Sequence, residues 1–175
     1  MINVHTLGPT GTNCEKAAHE YLRRESKAGK ILLHETLEAA VEELINSDEG
    51  GVLLGCIVYP KLHDIVFKNL RTLKLVDCFV IDTHEMVFAG RDNSLAAISS
   101  VGTHPAPKHL VLEVPDLRRD VEVTICDSNS AASLKCANGD FDACITTDVA
   151  ANANGLHIFK SFGPVPMGFS IHGKE

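Results

Sequence analysis

Three short turns rich in hydroxyl side chains stand where the sequence predicts that helices begin. The first turn of a helix has backbone N–H groups without intrahelical partners and the positive end of the helix dipole, and it therefore binds anions. Three such turns that converge on one cleft predict a site for a ligand with more than one carboxylate. The turns are Gly8-Pro9-Thr10-Gly11-Thr12-Asn13, Gly102-Thr103-His104-Pro105 and Asp127-Ser128-Asn129-Ser130-Ala131-Ala132.

His104 is the side chain in these turns best suited to acid–base chemistry, because an imidazole titrates near neutral pH. Pro105 suits the first turn of a helix, with Thr103 or His104 as its cap. Thr12 is likewise a predicted N-cap, and Glu15 three residues later completes a capping box. A capping role without any ligand is the alternative interpretation of each turn.

The spacing motifs of several other site classes are absent from the sequence. The Gly8–Gly11 turn lacks the three glycines of a dinucleotide loop. No His-Glu-x-x-His pair indicates a metal site, and no Gly-x-Ser-x-Gly elbow indicates a serine hydrolase. The sequence therefore predicts neither a cofactor nor a bound metal.

The composition narrows the range of partners. The 175 residues carry a net charge of −7 and no basic stripe, which argues against nucleic acid and leaves local dipoles and hydroxyls to hold an anion. No apolar run approaches the roughly 20 residues of a membrane span, and the first residues do not resemble a signal peptide. Six Cys without a Cys-x-x-Cys pair are typical of buried, reduced thiols, so we expect a cytoplasmic protein.

Segments typical of strands and of helices alternate along the chain, which predicts an α/β protein. The segment order indicates two lobes with a cleft between them: residues 1–82 with about 159–175, and about 83–158. Helices are expected after Thr12, from Leu37, after Pro105, and at residues 130–137 and 148–154. Strands are expected at residues 2–7, 30–34, 52–58, 73–81, 85–89, 98–101, 121–126, 143–146, 156–162 and 167–172.

The ordered turns resemble the catalytic domain of prephenate dehydratases over nearly the whole chain. Thr6-Leu7-Gly8-Pro9-Thr10-Gly11-Thr12 is similar to that family's Leu-Gly-Pro-x-Gly-Thr opening, and Gly102-Thr103-His104-Pro105 to its Ser-His-Pro segment. Ser128-Asn129-Ser130-Ala131-Ala132 is similar to its Ser-Thr-x-x-Ala-Ala turn. The resemblance implies a fold like that of type II periplasmic-binding proteins, in agreement with the two predicted lobes.

Other segments depart from the dehydratase pattern. Met167-Gly168-Phe169 stands in place of the family's Thr-Arg-Phe signature, whose Thr is the principal catalytic residue. Val58-Tyr59-Pro60-Lys61 stands near its Pro-Ile-Glu-Asn segment, and no regulatory ACT domain is expected after Glu175. Residues 166–174, with Asp82-Thr83 followed by Met86, instead resemble the prephenate decarboxylase branch of bacilysin-type antibiotic biosynthesis.

The resemblance implies a carbon–carbon lyase that removes CO2 from prephenate or a close analogue without aromatising the ring, and it implies no cofactor. His104 or Tyr59 would donate the proton, and the substrate's own hydroxyl is an alternative donor. The alternatives are a prephenate dehydratase and a non-catalytic binder of a small dicarboxylate, and a homodimer is one candidate assembly. The expected substrate-binding residues are Thr10, Gly11, Thr12, Asn13, Thr83, Thr103, Ser128, Asn129, Ser130 and Met167.

Overall fold

The structure, a computed structural model, describes residues 2–174, which divide into two compact units. The first unit contains the described residues up to Thr83 and those from Pro166 onward, and the second runs from His84 to Val165. The chain therefore returns to the first unit at Pro166, later than the predicted residue 159. The strand around residue 159 pairs with the strand at residues 86–90 in the second unit, and the apolar pattern of a strand does not indicate which strand it pairs with. Residues 1 and 175 of the predicted first lobe lie outside the described residues.

A five-stranded mixed sheet forms the centre of the first unit. Its elements are β1 (Ile2–Leu7), α1 (Asn13–Arg24), β2 (Gly29–His34), α2 (Leu37–Asn46), β3 (Gly51–Cys56), α3 (Leu62–Lys68), β4 (Leu73–Asp82) and β10 (Pro166–Lys174). The strand order is β2-β1-β3-β10-β4. Strand β1 is parallel to β2 and β3, whereas β10 is antiparallel to β3 and β4.

The second unit repeats this arrangement with a second five-stranded sheet. Its elements are β5 (Met86–Gly90), a 3₁₀ turn (Leu95–Ala97), β6 (Ser100–Thr103), a 3₁₀ segment (Ala106–Glu113), β7 (Glu122–Ile125), α4 (Asn129–Asn138), β8 (Ala143–Thr147), α5 (Asp148–Ala153) and β9 (His157–Gly163). The strand order is β7-β6-β8-β5-β9. Strand β6 is parallel to β7 and β8, and β5 is antiparallel to β8 and β9.

The first sheet is covered on two faces because successive side chains of a strand point to opposite sides. Val52 and Leu54 of β3 belong to a buried cluster with Ala17 of α1, whereas Leu53 belongs to a cluster with Leu44 of α2. We call these sides the α1 face and the α2 face. Because the sheet separates the two faces, side chains on one face do not contact those on the other.

Close packing in the second unit explains one glycine of the predicted turns. Gly102 lies in β6 directly under the buried ring of Phe141 on the loop before β8. A Cβ at position 102 would overlap that ring. The missing side chain of Gly102 therefore leaves room for the Phe141 ring to pack on β6, two residues before His104.

Most predicted elements are confirmed, and two differ. Helix α4 ends at Gly139, whose φ of 94° lies in the left-handed region that favours glycine. Helix α3 was not predicted, because its seven residues are too short to show a helical period. The segment after Pro105 forms 3₁₀ turns instead of an α-helix, in keeping with Pro107, which has no backbone N–H to donate.

Two further expectations concerned the state of the cysteines and the presence of a membrane-spanning segment. All six cysteines are free thiols, as expected, but Cys78 on β4 is exposed and Cys56 is half-buried, so only four are buried. Among residues 2–174, no helix is long and apolar enough to cross a membrane.

Candidate active site

Several predicted site residues of the second unit lie at one edge of its sheet. The parallel strands β6 and β7 end side by side, and the N–H of Cys126 donates a 2.8 Å hydrogen bond to the backbone oxygen of Thr103. Ligands of open α/β sheets bind outside the carboxyl ends of the strands. The two turns that follow these strands, which carry His104 and Ser128, therefore share the edge where a ligand is expected.

Helix α4 begins at this edge with Asn129, one residue before the predicted start, and its N-cap is Ser128. Ser128 has extended backbone angles, and its Oγ accepts a 3.0 Å hydrogen bond from the N–H of Ala131. The Ser128 hydroxyl keeps its proton to donate, and the first-turn residues Asn129 and Ser130 are half-buried beside it. The first turn of α4 contains no acidic residue. This N-terminus thus retains its positive dipole for an external anion.

The backbone of Asn129 is fixed by a hydrogen bond, whereas its side-chain oxygen is buried without a partner among the described residues. The hydroxyl of Thr146 donates a 2.7 Å hydrogen bond to the backbone oxygen of Asn129, and the Asn129 amide nitrogen lies 3.9 Å from the sulfur of Met86. The Asn129 Oδ1 atom is buried and has no hydrogen-bond partner within the described part of the chain. An orphaned buried acceptor is costly and marks a place where a donor is expected.

His104 is oriented by the backbone around it. Its Nδ1 accepts a 3.3 Å hydrogen bond from the N–H of Ala106, and the buried Thr103 hydroxyl donates to the His104 carbonyl at 3.0 Å. Burial lowers the pKa of His104, and the charge of Asp127 opposes this shift. The neutral imidazole therefore carries its proton on Nε2, where it can donate one hydrogen bond. The prediction of Thr103 or His104 as the cap is wrong, because the 3₁₀ segment has Pro105 at its N-cap and no side-chain capping bond.

The turn at residues 8–13, in the first unit, also caps a helix, but there a carboxylate of the chain itself takes part. Thr12 accepts a 3.3 Å hydrogen bond from the N–H of Glu15, as predicted. The Glu15 carboxylate accepts a 2.6 Å bond from the N–H of Gly11 rather than from Thr12. Since a carboxylate of the chain itself already occupies this helix N-terminus, an external carboxylate binds there less favourably.

The remaining residues of this turn shape the backbone. Gly11 has a φ of 83°, in the left-handed region, which brings its N–H toward the helix axis. Thr10 is exposed at the tip of the turn, and Asn13 is half-buried as the first residue of α1. The structure thus places Thr10 and Asn13 on either side of the capped turn.

Lys16 supplies the positive charge that the first turn otherwise lacks. Its Nζ donates a 3.1 Å hydrogen bond to the backbone oxygen of Thr83, which is buried. Lys16 lies four residues after Thr12, so both side chains lie on the same side of α1. The structure therefore joins the predicted turn to the predicted Thr83 through a cation that sequence reasoning missed.

Met167 lies on the same α1 face. It pairs with Ile81 across β10 and β4, and its half-buried side chain packs against the α1-face cluster. A thioether at this position neither donates a proton nor carries charge. The first unit thus presents a cation, a buried threonine and an apolar side chain, and no hydroxyl from residue 167.

Tyr59 lies on the α2 face instead. Its hydroxyl donates a 2.7 Å hydrogen bond to Glu38 at the start of α2, and its ring packs against the α2-face cluster. Burial and the Glu38 carboxylate raise the pKa of Tyr59 to about 12. The structure does not bring Tyr59 together with Lys16 or Met167, which lie on the α1 face.

Comparisons with known proteins agree with the sequence resemblance. The family model described as prephenate dehydratase matches residues 4–162. A protein of Bacillus subtilis named prephenate decarboxylase is 29% identical over 185 aligned residues, which cover 99% of this chain and 87% of that relative.

Solved structures share the fold at lower identity. A prephenate dehydratase of Arthrobacter aurescens, solved in complex with L-Phe, matches all of this chain with a TM-score of 0.77 at 17% identity, and the match spans 61% of that protein. A periplasmic substrate-binding protein of an ABC transporter from Coxiella burnetii matches 98% of this chain and 84% of its own, with a TM-score of 0.56 at 14% identity. The predicted α/β fold of the type II periplasmic-binding-protein kind is confirmed.

Proposed function

The chain belongs to the prephenate dehydratase family, and we propose that it is a carboxy-lyase that removes CO2 from prephenate or a close analogue without aromatising the ring. The prephenate decarboxylase of Bacillus subtilis, similar over 99% of this chain, supports this assignment. A dehydratase must expel the ring hydroxyl together with CO2, whereas a decarboxylase of this kind retains it.

The observation that carries the proposal is the side chain at position 167. Met167 stands where the family resemblance places the catalytic Thr of dehydratases, and it packs against the α1-face cluster of the first unit. A hydroxyl at this position could assist the departure of water by donating a hydrogen bond. The thioether of Met167 cannot, so the substrate hydroxyl stays on the ring.

The chemistry requires little covalent help from the protein. The bond between the ring and its carboxylate breaks, the electron pair passes into the diene, and a ring carbon takes up a proton. Donors that bound the leaving carboxylate would hold it back, because its charge is lost as CO2 forms. We therefore assign the N-terminus of α4, with the hydroxyls of Ser128 and Ser130 and the backbone N–H of Asn129, to the carboxylate that the substrate keeps.

Other residues raise the local potential and orient the substrate. Lys16 and Thr83 contribute positive charge and a polar surface in the first unit. His104 donates a hydrogen bond from Nε2, and a bound carboxylate nearby would raise its pKa toward that of a usable acid. The proton for the ring then comes from His104 or from the substrate hydroxyl. Tyr59 is not assigned this role, since its proton is shared with Glu38 and its pKa is about 12.

Product analysis tests the proposal directly. We expect purified protein to release CO2 from prephenate and to form a product heavier than phenylpyruvate by one water, without the strong absorbance of phenylpyruvate in alkali. Phenylpyruvate as the main product would assign a dehydratase. Saturable binding without turnover would assign the alternative, a binder of small dicarboxylates.

Two variants at position 167 sharpen this test. Met167→Thr restores a hydroxyl and should raise the share of phenylpyruvate among the products. Met167→Leu keeps the apolar character and should leave the product unchanged. Equal products from both variants would show that residue 167 does not set the outcome.

The proposal extends to the biological context and the assembly of the protein. The resemblance of residues 166–174 to the bacilysin-type branch supports a role in antibiotic biosynthesis in the cytoplasm, which deletion of the gene and metabolite analysis would test. A homodimer is supported by edge strand β4, where Leu75, Val76 and Val80 are exposed. Light scattering during gel filtration would measure the mass in solution.

A further inference from the structure

Two histidines that are distant in sequence meet on the α2 face of the first sheet. In the parallel register His5 pairs with Leu32, so His34, two residues further along β2, points to the same side. The rings of His5 and His34 stack with centroids 5.3 Å apart and planes 15° apart. Only 1% of His5 and 9% of the His34 side chain are exposed, so both imidazoles are withdrawn from water.

The contact between the two rings has the spacing of two metal ligands. His5 Nδ1 and His34 Nε2 lie 3.2 Å apart. Two nitrogens bound to one tetrahedral zinc ion at about 2.0–2.1 Å are about 3.3 Å apart, so an ion could bind both with little movement. Without an ion, the same distance allows a single hydrogen bond between the rings.

A third ligand comes from helix α2. Glu43 Oε2 lies 3.6 Å from His34 Nδ1, the ring nitrogen that does not contact His5. One ligand atom from each of the three residues lies within 4.8 Å of the other two, so the Glu43 carboxylate must move toward His34 Nε2 to share an ion with both histidines. The Glu43 side chain is 61% exposed, so its carboxylate can rotate toward the nitrogens while the open side admits water as a fourth ligand. Two imidazoles and a carboxylate form a donor set that suits Zn²⁺.

We propose that His5, His34 and Glu43 form a binding site for a divalent transition-metal ion of the zinc class. The ion would link helix α2 to β1 and β2, two strands that are already joined by parallel backbone pairing. The site lies on the α2 face, whereas Lys16 and Met167 lie on the α1 face. The ion is therefore expected to stabilise the first unit rather than to take part in the reaction.

Calorimetric titration of the untagged protein with Zn²⁺, after treatment with EDTA and desalting, tests the proposal. We expect one site with a Kd in the micromolar range or tighter, and a melting temperature that rises by about 5 °C or more at a hundredfold excess over Kd. Replacing Zn²⁺ with Co²⁺ should give the visible absorption bands of a tetrahedral site.

Variants on the same helix provide the matched control. Glu43→Gln should weaken Zn²⁺ binding at least tenfold and His34→Gln should abolish it, whereas Glu42→Gln, an exposed neighbour with the same charge change, should leave it unaltered. Because Glu43 is exposed, Glu43→Gln tests the site even if His34→Gln disturbs folding. Binding weaker than millimolar, binding unaffected by Glu43→Gln and His34→Gln, or binding lost in Cys78→Ser, the variant of the exposed thiol, would overturn the proposal.

Discussion

Replacing Asn129 with leucine should make the protein more stable and less active. The buried Oδ1 of Asn129 has no partner among residues 2–174, and the amide nitrogen has only the distant sulfur of Met86. Leucine has the same branched skeleton of heavy atoms without a polar atom. The backbone hydrogen bond from Thr146 to residue 129 does not depend on the side chain and is retained.

The expected gain follows from these contacts. A buried acceptor without a partner costs about 1–3 kcal/mol, and a bond of 3.9 Å to a weakly accepting thioether returns little of it. We expect Asn129→Leu to raise the free energy of unfolding by about 1 kcal/mol. For a chain of 175 residues that corresponds to a melting temperature higher by about 2–4 °C. If Oδ1 accepts a hydrogen bond from the substrate hydroxyl, kcat/KM should fall at least about tenfold, since about 1.4 kcal/mol corresponds to a factor of ten.

Asn154→Leu is the matched control in the same unit. The Asn154 amide donates to the hydroxyl of Ser133 at 3.0 Å and to the carbonyl of Ala150 at 2.9 Å, so its removal should lower the melting temperature. Thermal unfolding followed by circular dichroism, together with steady-state kinetics, measures both effects. An Asn129→Leu variant that melts no higher than the wild type would refute the argument from the orphaned acceptor. Unchanged kcat/KM would remove Asn129 from the site.

Four further outcomes are expected. Lys16→Met should raise KM at least about tenfold because it removes a charge, and it should lower the melting temperature slightly because the 3.1 Å hydrogen bond to the Thr83 carbonyl is lost as well. Unchanged kinetics would exclude Lys16 from the site. Gly102→Ala should lower the free energy of unfolding by about 2 kcal/mol or more in urea titrations, because its Cβ overlaps the Phe141 ring, and Phe141→Leu should recover part of the loss. Hydrogen bonds from Ser99 and Ser100 lower the pKa of Asp142 to about 2. The ionised carboxylate therefore stabilises the fold above its ordinary pKa of 3.8, and this stabilisation is lost as the pH falls from about 4 to 2. Asp142→Asn should make the melting temperature depend less on pH in that range, as measured by thermal melts across pH. His104→Gln keeps an N–H donor and should lower kcat less than about tenfold, whereas a fall of about 10²-fold or more would identify His104 as the general acid.

Local patterns in the sequence predicted most elements of the fold. The N-caps Thr12 and Ser128 and the left-handed Gly139 lie within a few residues of the helices they delimit, so their effect is visible in the sequence. The return of the chain to the first sheet at Pro166 depends on which sheet each of β9 and β10 joins: β9 lies at the edge of the second sheet, and β10 lies between β3 and β4 of the first. That choice is made by pairing partners far along the chain, which periodicity does not record.

The candidate site was predicted in part for the same reason. Lys16 acquires its role through Thr83, which is 67 residues away, and a lysine on an amphipathic helix gives no signal by itself. His5, His34 and Glu43 have no motif spacing, because two strands and a helix bring them together. The hydroxyl-rich turns, whose chemistry is local, were accessible from the sequence itself, and Thr83 and Met167 from the family resemblance.

The two best-defined turns look equivalent in sequence, yet the structure makes them different as anion sites. Helix α1 has Glu15 in its first turn, bonded to the N–H of Gly11, so much of its positive dipole is already neutralised. Helix α4 has no acidic residue in its first turn, and Asp127, which precedes the cap, is exposed and screened by water. In a chain of net charge −7, a carboxylate is therefore expected to bind at α4 through backbone N–H groups, and in the first unit through Lys16.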